Sequence, residues 1–280
     1  MGAVQRLQLE GASANIYRIA PSWENNRTLA IGAIEFPSLE AGRGLLSKVE
    51  YIAREEGLGA ILGPLDGDTW HSYRLVYESD GRPPFIMEPT SGEFDLPAFE
   101  NAGFSPVSFY ASSIASISES IGRQKPCMDG ITVEPWDGEN GGALIRDMFN
   151  LSMKSFANNK FFSPISYAAF LEIYEPLLPF IQKEHVLFAI NEEGNLKGYL
   201  FGTPDFLDQT DCRAIILKTY ASTVRGVGYL LADRFHRRAA DMGYKSVIHA
   251  LMHDENVSLD RSKKHKARVF RRYALMGKSV

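Results

Sequence analysis

The stretch Lys218-Thr219-Tyr220-Ala221-Ser222-Thr223-Val224-Arg225-Gly226-Val227-Gly228-Tyr229-Leu230 sets a glycine pair between two apolar patterns of different period. Before it, Ala214 to Tyr220 reads as a strand. After it, Leu231, Phe235, Ala239 and Met242 recur at helical spacing, so a helix starts at about Val227 and stops at Gly243. The first amides of a helix have no internal acceptors, and the helix dipole adds partial positive charge there. Glycine lets a ligand come close to that backbone. Such a turn suits a pyrophosphate. A dinucleotide fingerprint would need a third glycine where Leu231 stands, and a P-loop would need Gly-Lys-Ser/Thr, so neither fits.

Groups able to move protons lie close by in sequence. His249 falls within a buried strand pattern, His253 at its end, and Tyr273 on the last strand. A basic run from Arg261 to Arg272 includes Lys263, Lys264, His265, Lys266, Arg268 and Arg271. It reads as a solvated face that could also meet an acidic substrate or phosphates. In the first half, Trp70, His71, Tyr73 and Arg74 follow Gly63-Pro64. They suit either packing at a seam or contact with a substrate. Cys127 and Cys212 form no metal-binding spacing, so no metal is expected, and reduced thiols in a cytoplasmic protein are the plainer reading.

The elements that must position these groups fall into two halves. The polar segment from Ser118 to Pro126 divides the chain, giving lobes 1–125 and 126–280. In the first, strands are expected over Leu29–Phe36, Ala60–Leu62, Phe85–Met87 and Val107–Ala111, with helices over Leu45–Glu56 and Pro97–Asn101. In the second, a strand at Ile131–Val133 precedes helices over Gly142–Ser155 and Pro164–Ile181. A hairpin of Val186–Ile190 and Leu196–Phe201 follows, and Ser246–Met252 and Arg268–Met276 complete the strands. This is a mixed α/β (α+β) pattern. With 280 residues, 45% hydrophobic and 23% charged, a normal globular core in two domains is expected. The net charge of −4 argues against nucleic acid or an anionic membrane as partner. The beginning, Met1-Gly2-Ala3-Val4-Gln5-Arg6, lacks the apolar run of a signal peptide.

The strand, glycine turn and helix resemble the GCN5-related N-acetyltransferase superfamily (GNAT), whose Arg/Gln-x-x-Gly-x-Gly/Ala turn cradles coenzyme A. Here the turn reads Thr223-Val224-Arg225-Gly226-Val227-Gly228: the glycines match, Thr223 replaces Arg/Gln, and Arg225 is a neighbouring charge. Gly243-Tyr244 matches the family's helix end, and Asn256 the asparagine that contacts the pantetheine arm. Lys263 stands where the family's tyrosine acid is expected. In the first half, Ala98-Phe99-Glu100-Asn101-Ala102-Gly103-Phe104 resembles a late segment of the same family, and Gly42-Arg43-Gly44 offers a second turn, so that half reads as a degenerate copy.

The resemblance implies two tandem acyl-CoA N-acyltransferase-like lobes, each a mixed, mostly antiparallel sheet flanked by helices. It implies transfer of an acyl group from acetyl-CoA, or another acyl-CoA, to the amine of a small molecule or peptide. It implies a cofactor site of Thr219, Tyr220, Ala221, Val224, Arg225, Gly226, Val227, Gly228, Tyr229 and Asn256, with amides near Thr219 to Ala221 stabilising the oxyanion. His253 and Tyr273 are the catalytic candidates, and a homodimer is compatible with this reading. A tandem-lobed aminoacyl transferase of the cell-wall type and a non-catalytic CoA-binding protein are the alternatives.

Overall fold

A computed structural model describes residues 4–207 and 213–280. Cys212 and the N-terminal Met1-Gly2-Ala3 lie outside the described residues. The first half comprises β1 (Gln5–Leu9), β2 (Ala12–Tyr17), β3 (Thr28–Glu35), α1 (Leu39–Glu55), β4 (Ala60–Gly63), β5 (Leu75–Ser79), α2 (Asp95–Asn101), β6 (Ser105–Ser116) and the single turn α3 (Ile117–Ser120). The second comprises β7 (Ile131–Pro135), α4 (Gly141–Ser155), α5 (Tyr167–Tyr174), β8 (Val186–Asn191), β9 (Leu196–Pro204), β10 (Ala214–Ser222), α6 (Val227–Asp241), β11 (Ser246–His253), α7 (Val257–Lys264) and β12 (Arg268–Ser279).

Among the described residues these strands form one mixed sheet in the order β1-β2-β3-β4-β12-β6-β11-β10-β9-β8-β7, with β5 also on β12. Most pairs are antiparallel. Two are parallel, β3 with β4 and β10 with β11, and each encloses a helix, α1 or α6. Such strand–helix–parallel strand units need a crossover helix on one face of the sheet. The two halves exchange strands at the centre. The last strand, β12, lies between β4 and β6 of the first half, while β6 lies between β12 and β11.

The expected helix at Leu45–Glu56 begins earlier, at Leu39, because the Ser38 hydroxyl accepts the Ala41 N–H and caps the first turn. Gly42 and Gly44 therefore lie inside a helix rather than in a turn. A Cβ on Gly42 would stand 2.8 Å from the Ala98 Cβ, so the missing side chain serves the packing of α1 on α2. The strand expected at Phe85–Met87 is a loop: Phe85 is buried against Phe270, and Met87 has φ +62°. The strand of that region is β5 instead. The helix expected from Pro164 to Ile181 is regular only over α5, where the Ser166 hydroxyl caps Ala169. It tightens to a 3₁₀ turn over Glu175–Phe180, where Pro176 and Pro179 supply no N–H. The hairpin β8–β9 forms as expected.

The core of the second half joins Leu231, Phe235 and Ala239 of α6 to Leu187, Leu200, Ile215 and Val247 of the sheet. Gly202 makes room for Phe235, whose ring would lie 2.4 Å from any Cβ there. This packing fixes the start of α6 relative to β10, and so fixes the site.

Candidate functional site

Strands β10 and β11 pair only from Ala214/Ser246 to Leu217/His249. Beyond that point β10 stays with β9 through Ser222, while β11 stays with β6, with Met252 opposite Ala111 and His253 opposite Tyr110. The strands therefore separate, and the edge of β10 from Thr219 to Ser222 faces a cleft of about 1100 Å³ instead of a neighbouring strand. A bulge marks the fork: Leu217 pairs with Gly202 and Thr219 with Phe201, so Lys218 is the extra residue. A bulged residue drops out of the ladder and re-aims the chain beside it.

The start of α6 stands at the mouth of this cleft. Gly226 has φ +94°, a conformation that disfavours a side chain, and no side chain caps the helix. The first turn carries no acidic residue. A Cβ on Gly228 would stand 3.0 Å from the Tyr220 ring and 3.3 Å from Arg261 Nη1, so this glycine keeps the backbone open between two side chains that line the cleft. Burial raises the Tyr220 hydroxyl pKa, and Arg261, which hydrogen-bonds it, works in the opposite direction. The Gly228 amide, an open glycine pair and the guanidinium groups of Arg225 and Arg261 fit a diphosphate group.

Of the residues expected to bind a cofactor, Thr219, Tyr220, Ala221, Val224, Arg225, Gly226, Gly228, Tyr229 and Asn256 all line the cleft. Val227 differs: its side chain is fully buried against the α6 core and its N–H donates to Val224 O at 3.2 Å, so it does not line the cleft. Asn256 is the residue preceding α7 and is exposed, with no side-chain cap to that helix. Thr223 also lines the cleft, but its N–H and its hydroxyl both donate to Lys197 O, at 3.0 and 3.4 Å. Lys263 is exposed and paired with Asp260.

His253 lies at the cleft, at the end of β11. Its Nδ1 accepts the Glu255 N–H at 3.1 Å, which leaves the proton on Nε2 to be donated to Ser108 Oγ at 2.9 Å. Burial lowers its pKa. Tyr273 is not at the cleft. It is fully buried in β12, and its hydroxyl donates to Glu88 and contacts Ser112 at 3.0 Å. Its alternation on β12 put it on the inner face, which the sequence left open. His249 is also internal. It joins His236 (Nε2 to Nε2, 3.1 Å) and Ser262 (Nδ1 to Oγ, 2.7 Å) in a buried group beside His265.

Two groups at the fork have a larger part than their sequence suggested. The Lys218 Nζ donates to Met87 O at 2.9 Å. Desolvation first, then the charge of Arg74, lowers its pKa to about 7, against a smaller opposing effect of Glu88. A charge ending the run Ile215-Ile216-Leu217 was its sequence signal. The second is Arg74, which reaches the cleft from the first half. Its neighbour Trp70 anchors that approach, packed edge-on to Phe162 and Phe170 and donating Nε1–H to Ser163 O at 2.8 Å. Of the cluster at 70–74, Trp70 thus closes the seam, while Arg74 faces the cleft.

No family model and no curated protein matches this chain in sequence. Solved structures do match in fold. A GCN5-related N-acetyltransferase from Sphaerobacter thermophilus aligns with a TM-score of 0.55 at 16% identity, over 96% of this chain and 76% of that one. A tandem GNAT protein from the clavulanic acid biosynthesis pathway aligns with a TM-score of 0.55 at 10% identity, over 97% and 81%. A GCN5-related N-acetyltransferase from Anabaena variabilis gives 0.55 at 9%, over 95% and 59%. The fold is therefore that of the GCN5-related N-acetyltransferases, in a two-lobed arrangement. Among the described residues no helix is long and apolar enough to cross a membrane, and no His, Cys, Asp or Glu group is arranged to hold a metal ion.

Proposed function

We propose that this protein is an acyl-CoA-dependent N-acyltransferase, using acetyl-CoA or a related thioester, with its working cleft in the lobe of residues 126–280. The lobe of residues 1–125 shapes the acceptor side and binds no second acyl-CoA. The carrying observation is the fork between β10 and β11 with the uncapped Gly226 helix start at its mouth.

Bound acetyl-CoA supplies the acyl group already activated as a thioester. The Gly228 amide at the start of α6, with Arg225 and Arg261, holds its diphosphate. The unpaired edge of β10 from Lys218 to Ala221 presents backbone N–H groups where negative charge develops on the acyl oxygen. Asn256 faces the arm of the cofactor. Proton removal from the acceptor ammonium falls to Lys218 rather than to Tyr273 or His253. Tyr273 is out of reach, and both ring nitrogens of His253 are engaged. With a pKa of about 7, Lys218 is substantially neutral at neutral pH and able to accept a proton. His253 holds Tyr110 edge-on at 4.9 Å and so supports the acceptor side. The setting is a cytoplasmic protein acting on a soluble amine, with a homodimer compatible and no nucleic acid or membrane required.

Isothermal titration with acetyl-CoA tests this reading. Binding at or below about 1 mM is expected for the wild type and loss of it for Gly226→Glu, with the melting curve showing that the variant still folds. No binding by the wild type would refute the proposal, and unchanged affinity in a folded Gly226→Glu would misplace the site. Thiol release across an amine panel then separates an enzyme from a CoA-binding protein.

A further inference from the structure

Arg74 is a buried cation with no ion-pair partner among the described residues. It is 9% exposed, has a left-handed backbone at φ +68°, and lines the cleft. Its guanidinium sits in the corner made by two rings, 4.1 Å from the Tyr73 centroid and 4.3 Å from the Tyr110 centroid, the rings meeting at 83°. Its Nε is buried with no hydrogen-bond partner, and Nη1 has one long contact of 3.5 Å, to Leu251 O.

Among the described residues no carboxylate lies within ion-pair distance of it. Glu88, the buried acid beside the cleft, is committed to Arg271 at 2.5 Å and to Tyr273. Asp254 is paired with Arg272. Asp66 and Asp95, on the far side of Arg74, are turned to other partners: Asp66 to the Ala33 backbone and Tyr17, Asp95 to the Gly92 N–H at 2.7 Å. Arg74 acts on another cation in the cleft, Lys218, whose ammonium form it disfavours.

A buried charge is costly unless it is paired, and a guanidinium is most tightly paired by a planar anion. The chain also spends a strained conformation at Arg74 to hold it there: its N–H donates to Pro64 O at 2.9 Å, closing a loop that carries it across from the first half. We propose that the acceptor amine carries a carboxylate, and that Arg74 binds it in the cleft opposite the thioester end. This rests on the acyl-CoA reading and narrows its acceptor to amino acids and other amino-carboxylates. The guanidinium fork suits the two coplanar oxygens of a carboxylate, and the phosphoethanolamine arm of the test below separates this from a phosphate. The neighbouring Lys218 would then face the amine end of the same molecule.

The test compares matched acceptors with the full-length protein saturated with acetyl-CoA. Thiol release is measured for a panel of free amino acids, the corresponding amino acid amides, and phosphoethanolamine. Binding of the same compounds to the protein with desulfo-CoA is followed by ligand-observed NMR. We expect at least one free amino acid to exceed its amide by about tenfold or more in kcat/KM, most of it in KM, the size of one charge-assisted contact. Arg74→Met should erase that preference while the acetyl-CoA affinity stays within about twofold, and Arg74→Lys should restore part of it. Equal use of acids and amides by the wild type would overturn the proposal. So would a preference for phosphoethanolamine, the absence of any amino acid binding to a protein that binds CoA, or a preference that survives in Arg74→Met. If Arg74→Met does not fold, persistence of the preference in a folded Arg74→Gln variant overturns the proposal in its place. Failure of acetyl-CoA to bind the wild type is a different result, which removes the acyl-CoA reading itself.

Discussion

The two strand–helix–parallel strand units of this molecule start alike and finish differently. In the first half, β3 and β4 pair in parallel over three residues, from Thr28/Ala60 to Ala30/Leu62, around α1. In the second, β10 and β11 pair over four, around α6. Beyond the second pair the fork is open and the helix start is uncapped. Beyond the first, the chain after β4 turns back into the fork: the Leu65 N–H donates to Ile31 O at 2.7 Å, and Leu65 and Asp66 press on Gly32. A space of only about 210 Å³ remains there, and Ser38 caps α1 where a ligand would otherwise meet free amides. One unit has become scaffold, and the segment that fills it, 64–74, also delivers Arg74 to the open one. A ligand cleft in this fold is thus a matter of what the chain does after the second parallel strand, not of the unit itself.

This comparison can be broken most directly at Gly32. A Cβ there would lie 1.9 Å from Asp66 Oδ1 and 2.7 Å from Leu65 O, so Gly32→Val should destabilise by about 3 kcal/mol or more in urea unfolding. A change of under about 0.5 kcal/mol would mean that the first fork is not tightly filled. The equally small Gly57 has open space around it but φ +63°, so Gly57→Ala should cost only about 1 kcal/mol.

Acid should act on the second half. Burial keeps His249 at a pKa of about 3 and holds His236 and His265 below the usual value as well. The unfolded chain, with ordinary histidines near 6.5, therefore takes up protons that the folded chain refuses. Stability is full above about pH 6.5 and falls as the pH drops below it, by about 2 kcal/mol at pH 5 from His249 alone. Urea curves at pH 7.5, 6 and 5 should show this, and His249→Gln should flatten the dependence. A flat wild-type profile would contradict it.

Ser38→Ala should cost about 1 kcal/mol and leave acetyl-CoA affinity untouched, since that cap belongs to the closed unit. A loss of affinity would show that the two helix starts are not separate in function. The smallest effect is expected in the titration of Lys218. Followed by NMR, its midpoint should lie near 7 and rise in Arg74→Met, where a repelling charge is removed. A fall, or no change, would place Arg74 too far away to matter.

Much of the second half was legible because its signals are local. The period change at Gly226, the turn between β8 and β9, and the stop at Gly243 each depend on a few neighbouring residues, and each stands where it was expected. The first half was harder to read for the same reason. Gly42 and Gly44 look like a second glycine turn in sequence, but the Ser38 cap and the contact with Ala98 make them helical. Phe85–Met87 has the composition of a strand but finds no partner edge, because β5 takes that edge of β12. Of the candidate site, the glycine turn at a strand–helix junction was legible, whereas the buried surroundings of Lys218 and Arg74 at the same cleft were not.

By itself, then, the sequence determined the helix that begins at Gly226, the strand that feeds it, and the glycines that keep that junction open. Backbone conformation and hydrogen-bond periodicity are short-range, so short-range patterns encode them. Only the tertiary structure decided that β12 would cross into the first half, that Tyr273 would be sealed beneath Glu88, and that Arg74 would reach a cleft lined by both halves. Strand partners are chosen by the packing of a whole sheet, and the electrostatic character of a charge is set by what surrounds it. The lowered pKa of Lys218 belongs to that second class: it arises from burial of the ammonium and from the Arg74 guanidinium, which a distant stretch of chain brings to the same point.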